Sequence, residues 1–414
     1  MSATSTAGTA RAIRVAIVHY SDSAVAGGSL RVGQTLANHL DPSRGEVHLV
    51  FAYGGPGPVT ASTTVPCHFL RANGPKDPRA WLRARRTITR LKPDIVHFMD
   101  SVVWLHGALL GTSHTKIVHV HGRPLASSMT RLNRTIWKHL PRIVAGHVCI
   151  TEGARQTLLS LGWGRPDRAW AIYNAIDCGW FRDLPPRSKA RQDLGIPRDA
   201  KVLGMVCRLT KFRGCDDAIR LLARLGDDWR LVLCGDGPFR SDLEDMSVRL
   251  GLRDRVHFTG SLDDVRPVYA SIDGFLLLAR HEPFGLAICE AMATGVPVFG
   301  LGGDGDYREP AYPLVTEENS VFVERRDPGN YDGEEPPETL DALARVISDY
   351  VEDPRKHQPM VERARSWVEQ RFDAPLHAEI VARLYREVSQ HGRSEPAALA
   401  ELYRRRTLQG TKTR

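Results

Sequence analysis

Short apolar runs of strand length alternate with glycine loops and amphipathic stretches along most of the chain, and the alternation occurs in two series. Few folds accommodate this rhythm. Strands separated by helices cannot pair as hairpins, so they align in parallel and need helices on both faces of the sheet. The first series opens with Ile13-Arg14-Val15-Ala16-Ile17-Val18-His19, passes through Gly27-Gly28 and enters a helix over 30–40. Further strands are predicted at 47–52, 95–99, 117–120 and 144–150. Between 178 and 200 the pattern lapses into Pro185-Pro186, a charged stretch and Pro197, which reads as a linker. A second series predicts strands at 202–206, 229–234, 255–258, 274–278 and 296–299, with helices at 215–225, 239–251 and 286–294. After Phe372 an amphipathic helix is predicted over 376–388, followed by a basic tail whose end frays. Two doubly wound α/β domains in tandem, with a ligand in the cleft between their strand ends, are the simplest architecture.

A chain of 414 residues, 42% hydrophobic and 25% charged, has material for two or three cores and excludes wholesale disorder or a fibrous fold. Seven cysteines, odd in number and without a Cys-x-x-Cys pair, argue against a disulfide framework or zinc knuckle and favour a reducing cytosol. Residues 1–10 lack a secretory pattern and no apolar run approaches the ~18 residues of a membrane span, so neither export nor insertion is expected. Lys and Arg number 56 against 48 Asp and Glu, a net charge of +8 that favours anionic partners: phosphorylated metabolites, acidic lipid surfaces or nucleic acid. Nucleic acid is the least supported, for want of any zinc finger, RNA-recognition signature or basic-aromatic platform.

The segment from His281 to Val298 carries the most chemistry. It reads as strand end, turn, helix, glycine cap and new strand. Gly285 admits close approach of a ligand, and the amides that open the helix suit phosphate or hydroxyl oxygens. Glu282 precedes the helix and Glu290 lies within it, so two carboxylates can accept hydrogen bonds from vicinal hydroxyls at different depths. A first-turn acid favouring the helix dipole plus a surface glutamate accounts for the same residues equally well.

Glu282 and Glu290, separated by seven residues that begin Pro283-Phe284-Gly285-Leu286, with Ala291-Met292-Ala293-Thr294-Gly295-Val296-Pro297-Val298 after, resemble the signature of glycosyltransferase family 4. Other landmarks follow the same order: Gly27-Gly28, Lys92 to His97, Val120-His121-Gly122, Tyr173 to Asp177, Arg208-Leu209 leading to Arg213-Gly214, and Gly235-Asp236-Gly237-Pro238. The resemblance implies the GT-B fold, two Rossmann-like domains facing a central cleft. It divides the chain into an acceptor domain at 1–180, a donor domain at 181–373, a helix near 374–390 packing back on the first domain, and a basic tail at 391–414.

By resemblance Glu290 would hold the donor ribose, Glu282 the hydroxyls of the transferred sugar, and Phe284, Gly285 and Leu286 would offer main-chain amides. Arg208 and Arg213 would clamp the diphosphate, stabilising the departing charge without a metal. Arg213 stands where the family usually has lysine, which replaces a point charge by a planar fork. His121 would lie near the transferred sugar, Gly28 and Ser29 would bring main-chain N–H groups near the phosphates or the acceptor, and Gly27 and Gly235 would belong with Gly28 to the donor-binding set; a packed histidine and an ordinary tight turn are the alternative. The chain departs from the family after Gly302, where the spacing to Glu309 is longer and no role is assigned. Asp304-Gly305-Asp306 also mimics the Asp-x-Asp metal site of the other large glycosyltransferase fold, but that site belongs to a single-domain architecture and no metal or other cofactor is expected.

The resulting expectation is a retaining hexosyltransferase using a nucleoside-diphosphate sugar, UDP favoured, and a hydroxyl acceptor that is a glycan, a lipid-linked glycan or a small natural product. Two other readings are a non-catalytic sugar-nucleotide-binding protein and a nucleotide-cofactor oxidoreductase, the latter lacking a Gly-x-Gly-x-x-Gly fingerprint after the first strand. Arg79, Arg83, Arg86 and Arg90, and Arg131, Arg134 and Lys138, fall at helical spacing. They read as solvated faces or as peripheral contacts with the inner face of a membrane. The expected location is the cytoplasm.

Overall fold

The computed structural model describes residues 12–23, 27–43, 45–99, 102–124, 129–302, 308, 313–325, 334–392, 394 and 399. These fall into two compact units. The first holds residues up to Ile150, 154–172 and the stretch from Ala374 onward; the second holds Thr151–Gly153 and Tyr173–Asp373. The chain crosses between units at 172/173 and 373/374, close to a bridge within the second unit, where the Ile176 N–H donates to the Phe372 carbonyl at 3.0 Å.

The first unit contains seven parallel strands: β1 (Ile13–Ser21), β2 (Gly45–Tyr53), β3 (Cys67–Phe69), β4 (Ile95–Phe98), β5 (Thr115–Val120), β6 (Gly146–Cys149) and β7 (Ala169–Ala171). Their order is β3-β2-β1-β4-β5-β6-β7, the doubly wound arrangement in which the chain reverses direction beside β1. Alternation along each strand divides the side chains between two faces. Val18, Val50, Val96, Phe98 and Val118 meet Ala80, Ala84 and Ile88 of the helix Pro78–Leu91 and Trp137 of the helix Arg131–His139. On the opposite face His19 lies under Gly33 of the helix Gly28–His39, and His97 meets Tyr385 of the helix Ala374–His391. That last helix belongs to the first unit although 201 residues of the second intervene in sequence.

The second unit contains β8 (Lys201–Val206), β9 (Trp229–Cys234), β10 (Val256–Gly260), β11 (Gly274–Leu277), β12 (Val298–Leu301) and β13 (Val321–Val323), all parallel, in the order β10-β9-β8-β11-β12-β13. Leu203, Leu231, Leu233, Leu276 and Phe299 pack with Ile219 and Leu222 of the helix Cys215–Leu222 and with Leu343 and Ile347 of the helix Pro337–Glu352.

Two features differ from the sequence expectation. Strands β3, β7 and β13 were not predicted. The stretch read as a linker contains the helices Cys178–Arg182 and Arg187–Asp193 and belongs to the second unit. Asp177 caps the first by accepting from the Trp180 N–H at 2.8 Å. The second is fixed by Arg191, which donates to the Ser271 carbonyl at 3.0 Å and to Asp273 at 3.1 Å. Asp304, Asp306, Glu309 and almost all of the basic tail lie outside the described residues.

Candidate functional site

In a parallel sheet every strand delivers its following loop to the same edge, so residues far apart in sequence gather there. In the second unit that edge receives Arg208 after β8, Gly235 after β9, and Glu282, Phe284 and Gly285 after β11. Gly285 has φ +103° and opens the helix Leu286–Thr294; a Cβ at this position would stand 2.4 Å from Ile288 Cδ1. Glycine is therefore required by conformation and by space. The amides of Leu286 and Ala287 have no partner inside the helix by geometry and carry the positive end of its dipole, whereas the Ile288 N–H donates to the Gly285 carbonyl at 3.0 Å. Phe284 is buried and edge-on to Phe372 at 5.4 Å, which leaves its main chain as the part able to meet a ligand. Gly235 packs so tightly that an added Cβ would fall 1.9 Å from the Cys207 carbonyl oxygen.

Arg213 ends a 3₁₀ turn, Lys211–Arg213, and its Nη1 is paired with Glu282 Oε2. The Glu282 carboxylate is the main reason the guanidinium holds its proton even more firmly than usual. Together with Cys207, Leu278, Gly285 and Ile288 they line a cavity of about 30 Å³, near the room one water takes. Arg208 is exposed and has no hydrogen bond or ion pair from its side chain among the described residues. The two arginines expected to act as one clamp therefore differ: Arg213 is already latched to a carboxylate and Arg208 faces solvent.

Three supporting groups escaped the sequence reading. Tyr269, buried at the end of a short helix, donates its hydroxyl proton to Glu290 Oε2 at 2.6 Å. Burial, then the Glu290 charge, pushes the phenol well above its ordinary range, so it stays a donor and orients the carboxylate. Behind the arginine turn, buried Arg280 donates to Asp217 at 2.7 Å and to the Lys211 carbonyl at 3.1 Å, while its own N–H donates to the Phe212 carbonyl at 2.9 Å. Arg220 adds contacts of 3.1 Å to Asp216 and 3.0 Å to Asp217. Burial, then Asp216, raises Asp217 to about 6 despite these partners. The only hint in the sequence was Arg280 itself, a charge ending the apolar run Phe275 to Ala279.

The first unit holds the other expected residues. Gly27 has φ +72° and caps the helix that Gly28 begins. His121 follows β5 and stacks on His119 with ring centroids 4.3 Å apart; His119 in turn stacks on His97 at 5.2 Å. His97 shares a 2.6 Å hydrogen bond with the Tyr385 hydroxyl. Burial lowers His97 to about 3 and His119 well below the usual histidine range, so both are neutral near pH 7. The basic faces are mixed: Arg131, Arg134 and Lys138 are exposed, whereas Arg83 is spent on the Leu70 and Arg71 carbonyls at 2.7 and 3.0 Å. Among the described residues there is no group of three His, Cys, Asp or Glu that could hold a metal ion, and no helix is long and apolar enough to cross a membrane.

Two family models match: "Glycosyltransferase Family 4" over residues 26–180 and "Glycosyl transferases group 1" over 186–309. The chain belongs to glycosyltransferase family 4. It is 32% identical over 216 residues to the lipopolysaccharide core biosynthesis glycosyltransferase LpsE of Rhizobium meliloti, covering 52% of this chain and 56% of that one. With the 2-deoxystreptamine glucosyltransferase of Streptomyces kanamyceticus it shares 25% identity over 339 residues, 75% of this chain and 83% of the relative. The chain spans about half the length of the first curated relatives it matches, 56% and 49%. The solved structure of Anabaena Alr3699/HepE in complex with UDP and glucose superposes with TM-score 0.74 at 22% identity, covering 90% of this chain and 98% of that one. WaaG, a glycosyltransferase involved in lipopolysaccharide biosynthesis, superposes with TM-score 0.64 at 17% identity, covering 90% and 99%. The fold is GT-B, with two Rossmann-like sheets.

Proposed function

We propose that the protein is a retaining glycosyltransferase that moves a hexosyl group from a nucleoside-diphosphate sugar, UDP-sugar first, to a hydroxyl of a glycan, lipid-linked glycan or small natural product. The observation that carries this reading is the Arg213–Glu282 pair beside the open helix end at Gly285, with Glu290 of that helix held by Tyr269 from the short helix Arg266–Ser271. A guanidinium and main-chain amides suited to an anion thus share one sheet edge with carboxylates suited to hydroxyls, which supports the reading. UDP and glucose in the Anabaena relative support the donor class.

In the proposed reaction the bond from the anomeric carbon to the diphosphate oxygen breaks and a bond to the acceptor oxygen forms on the same face. The acceptor proton passes to the leaving phosphate, so no covalent nucleophile is needed. Arg208 and Arg213 stabilise the departing charge, with Arg213 exchanging part of its pairing with Glu282 for phosphate oxygens. Glu282 accepts from sugar hydroxyls and Glu290 from the ribose. The main chain at Phe284, Gly285 and Leu286 meets sugar and phosphate, and Gly235 lets the neighbouring loop stand close. For His121 we propose a hydrogen bond to a sugar or acceptor hydroxyl, and for Gly27 and Gly28 main-chain contacts to phosphate or acceptor. We assign no metal to the chemistry. A cytoplasmic location, with the basic helices of the first unit touching the inner face of a membrane, completes the reading.

The test is a thermal-shift panel of UDP, GDP and NAD(H), followed by hydrolysis of the matching sugar nucleotides with and without chelator. Stabilisation by one nucleoside diphosphate and slow release of its sugar in chelator is the expected result. Stabilisation by NAD(H) alone, or activity that requires added Mn2+ or Mg2+, would refute the corresponding part of the proposal.

A further inference from the structure

Two thiols bracket the segment that carries both arginines. Cys207 follows β8 and Cys215 opens the helix Cys215–Leu222, with residues 208–214 between them. Their sulfur atoms are 3.6 Å apart. Cys215 is buried, while Cys207 is half-buried and lines the cavity shared with Arg213 and Glu282. The two are chemically unequal. Either sulfur can donate in this contact; with Cys215 as the donor the bond lowers the Cys207 thiol, Arg213 adding to the effect, while the same bond and burial raise Cys215. A half-buried thiol beside a guanidinium, with a second thiol in contact to resolve a mixed disulfide, is the arrangement thiol–disulfide exchange uses.

We propose that Cys207 and Cys215 form a reversible disulfide that switches off the donor site, with a small-molecule disulfide of the glutathione class as oxidant; the switching, though not the bond, rests on the function proposed above. The Cys207 thiolate attacks one sulfur of the oxidant and expels a thiolate, giving a mixed disulfide. Cys215 then passes its proton to the released thiolate and attacks the Cys207 sulfur, expelling a second thiolate that takes a proton from solvent. Two protein thiols lose two electrons, and one oxidant disulfide becomes two thiols.

The geometry links this bond to Arg213. The sulfurs must close from 3.6 Å to about 2.05 Å. The strand side cannot yield easily: the Cys207 N–H donates to the Cys234 carbonyl at 3.0 Å, and Leu209 is held at both its N–H and its carbonyl, by Asp236 at 3.0 Å and Phe239 at 3.1 Å. Cys215 is fixed in the first turn of its helix. The movement therefore falls on residues 210–214, the turn that aims Arg213 at Glu282.

The full chain is incubated with glutathione disulfide, digested with trypsin without reduction and examined by mass spectrometry, and UDP affinity is measured before, after, and after added reductant. Trypsin cuts at Arg208, Lys211 and Arg213, so a Cys207–Cys215 bond joins peptides that otherwise separate. The expected result is the joined peptide, a fall in UDP affinity of at least tenfold, and recovery on reduction. Cys215→Ala, or Cys207→Ser should the first not fold, binds UDP equally before and after oxidant. Glutathione on Cys207 with no joined peptide overturns the proposal, as does a joined peptide with unchanged UDP affinity. Absence of UDP binding in the reduced protein overturns the donor reading and with it the switch, while the joined peptide still reports the bond independently.

Discussion

In the first unit the central strands carry His19, His97 and His119 on one buried face, imidazoles stacked on rings and covered by two helices. In the second unit, built on the same strand order around β8, ions hold the segments beyond the strand ends: Arg280 and Arg220 on Asp216 and Asp217, and Arg325 on Glu335. One topology thus carries a stack of rings under the helices of one unit and an ion network at the strand ends of the other. The ion network fixes a cation-bearing turn in place, as the proposed diphosphate contact requires.

The sharpest way to break this contrast is Arg280→Leu. It leaves a buried carboxylate at Asp217 and removes the donors to the turn, so we expect a loss of about 3–5 kcal/mol in thermal or denaturant unfolding. Asp217→Leu combined with Arg280→Leu should regain most of that stability and still bind UDP weakly, because the turn remains unsupported. Melting of Arg280→Leu like the parent protein would show the network to be dispensable.

Arg208→Ala, at an exposed position, should lower turnover by at least ~100-fold with an unchanged melting temperature. Full turnover in this variant would remove Arg208 from the mechanism.

Acid should separate the units. His97 titrates at about 3, and His106 and His147 at about 4, each lowered by burial from 6.5. Between those values the unfolded chain holds more protons, so the first unit loses stability as pH falls, by roughly 2 kcal/mol per histidine at pH 5. Asp217 has the opposite sign: raised to about 6 from 3.8, it is protonated more readily when folded, and its contribution grows as pH falls through that window. Hydrogen exchange at pH 7 and pH 5 should therefore show protection lost first in β1, β4, β5 and β6. Loss in β8 and β11 first would contradict the assignment.

The smallest effect is expected from Tyr269→Phe, which removes one hydrogen bond to Glu290. UDP affinity should fall by about 1–2 kcal/mol while uridine is affected equally, because Glu290 is proposed to hold the ribose. An effect confined to UDP would move Glu290 from ribose to phosphate.

The long central strands were legible because burial on both faces writes most of their length as continuous apolar runs, as in the Leu231-Val232-Leu233-Cys234 that ends Trp229–Cys234. Strands Cys67–Phe69, Ala169–Ala171 and Val321–Val323, three residues each at or near the sheet edges, are too short to show a period. Glu282, Gly285 and Glu290 were legible because one strand–turn–helix segment carries them. Tyr269, Asp217 and Arg280 were not, since their partners are set by packing between segments that the local pattern does not join. The latching of Arg213 to Glu282, and the contact between Cys207 and Cys215, likewise became visible only once the turn between β8 and its helix had a shape.

Calorimetric titration with UDP and, in parallel, uridine tests the central claim most directly, because the two ligands differ only in the phosphates that Arg208, Arg213 and the Gly285 helix end are proposed to hold. The account predicts clear binding of UDP and at least a hundredfold weaker binding of uridine. Equal affinity for the two, or no binding of UDP, would contradict it.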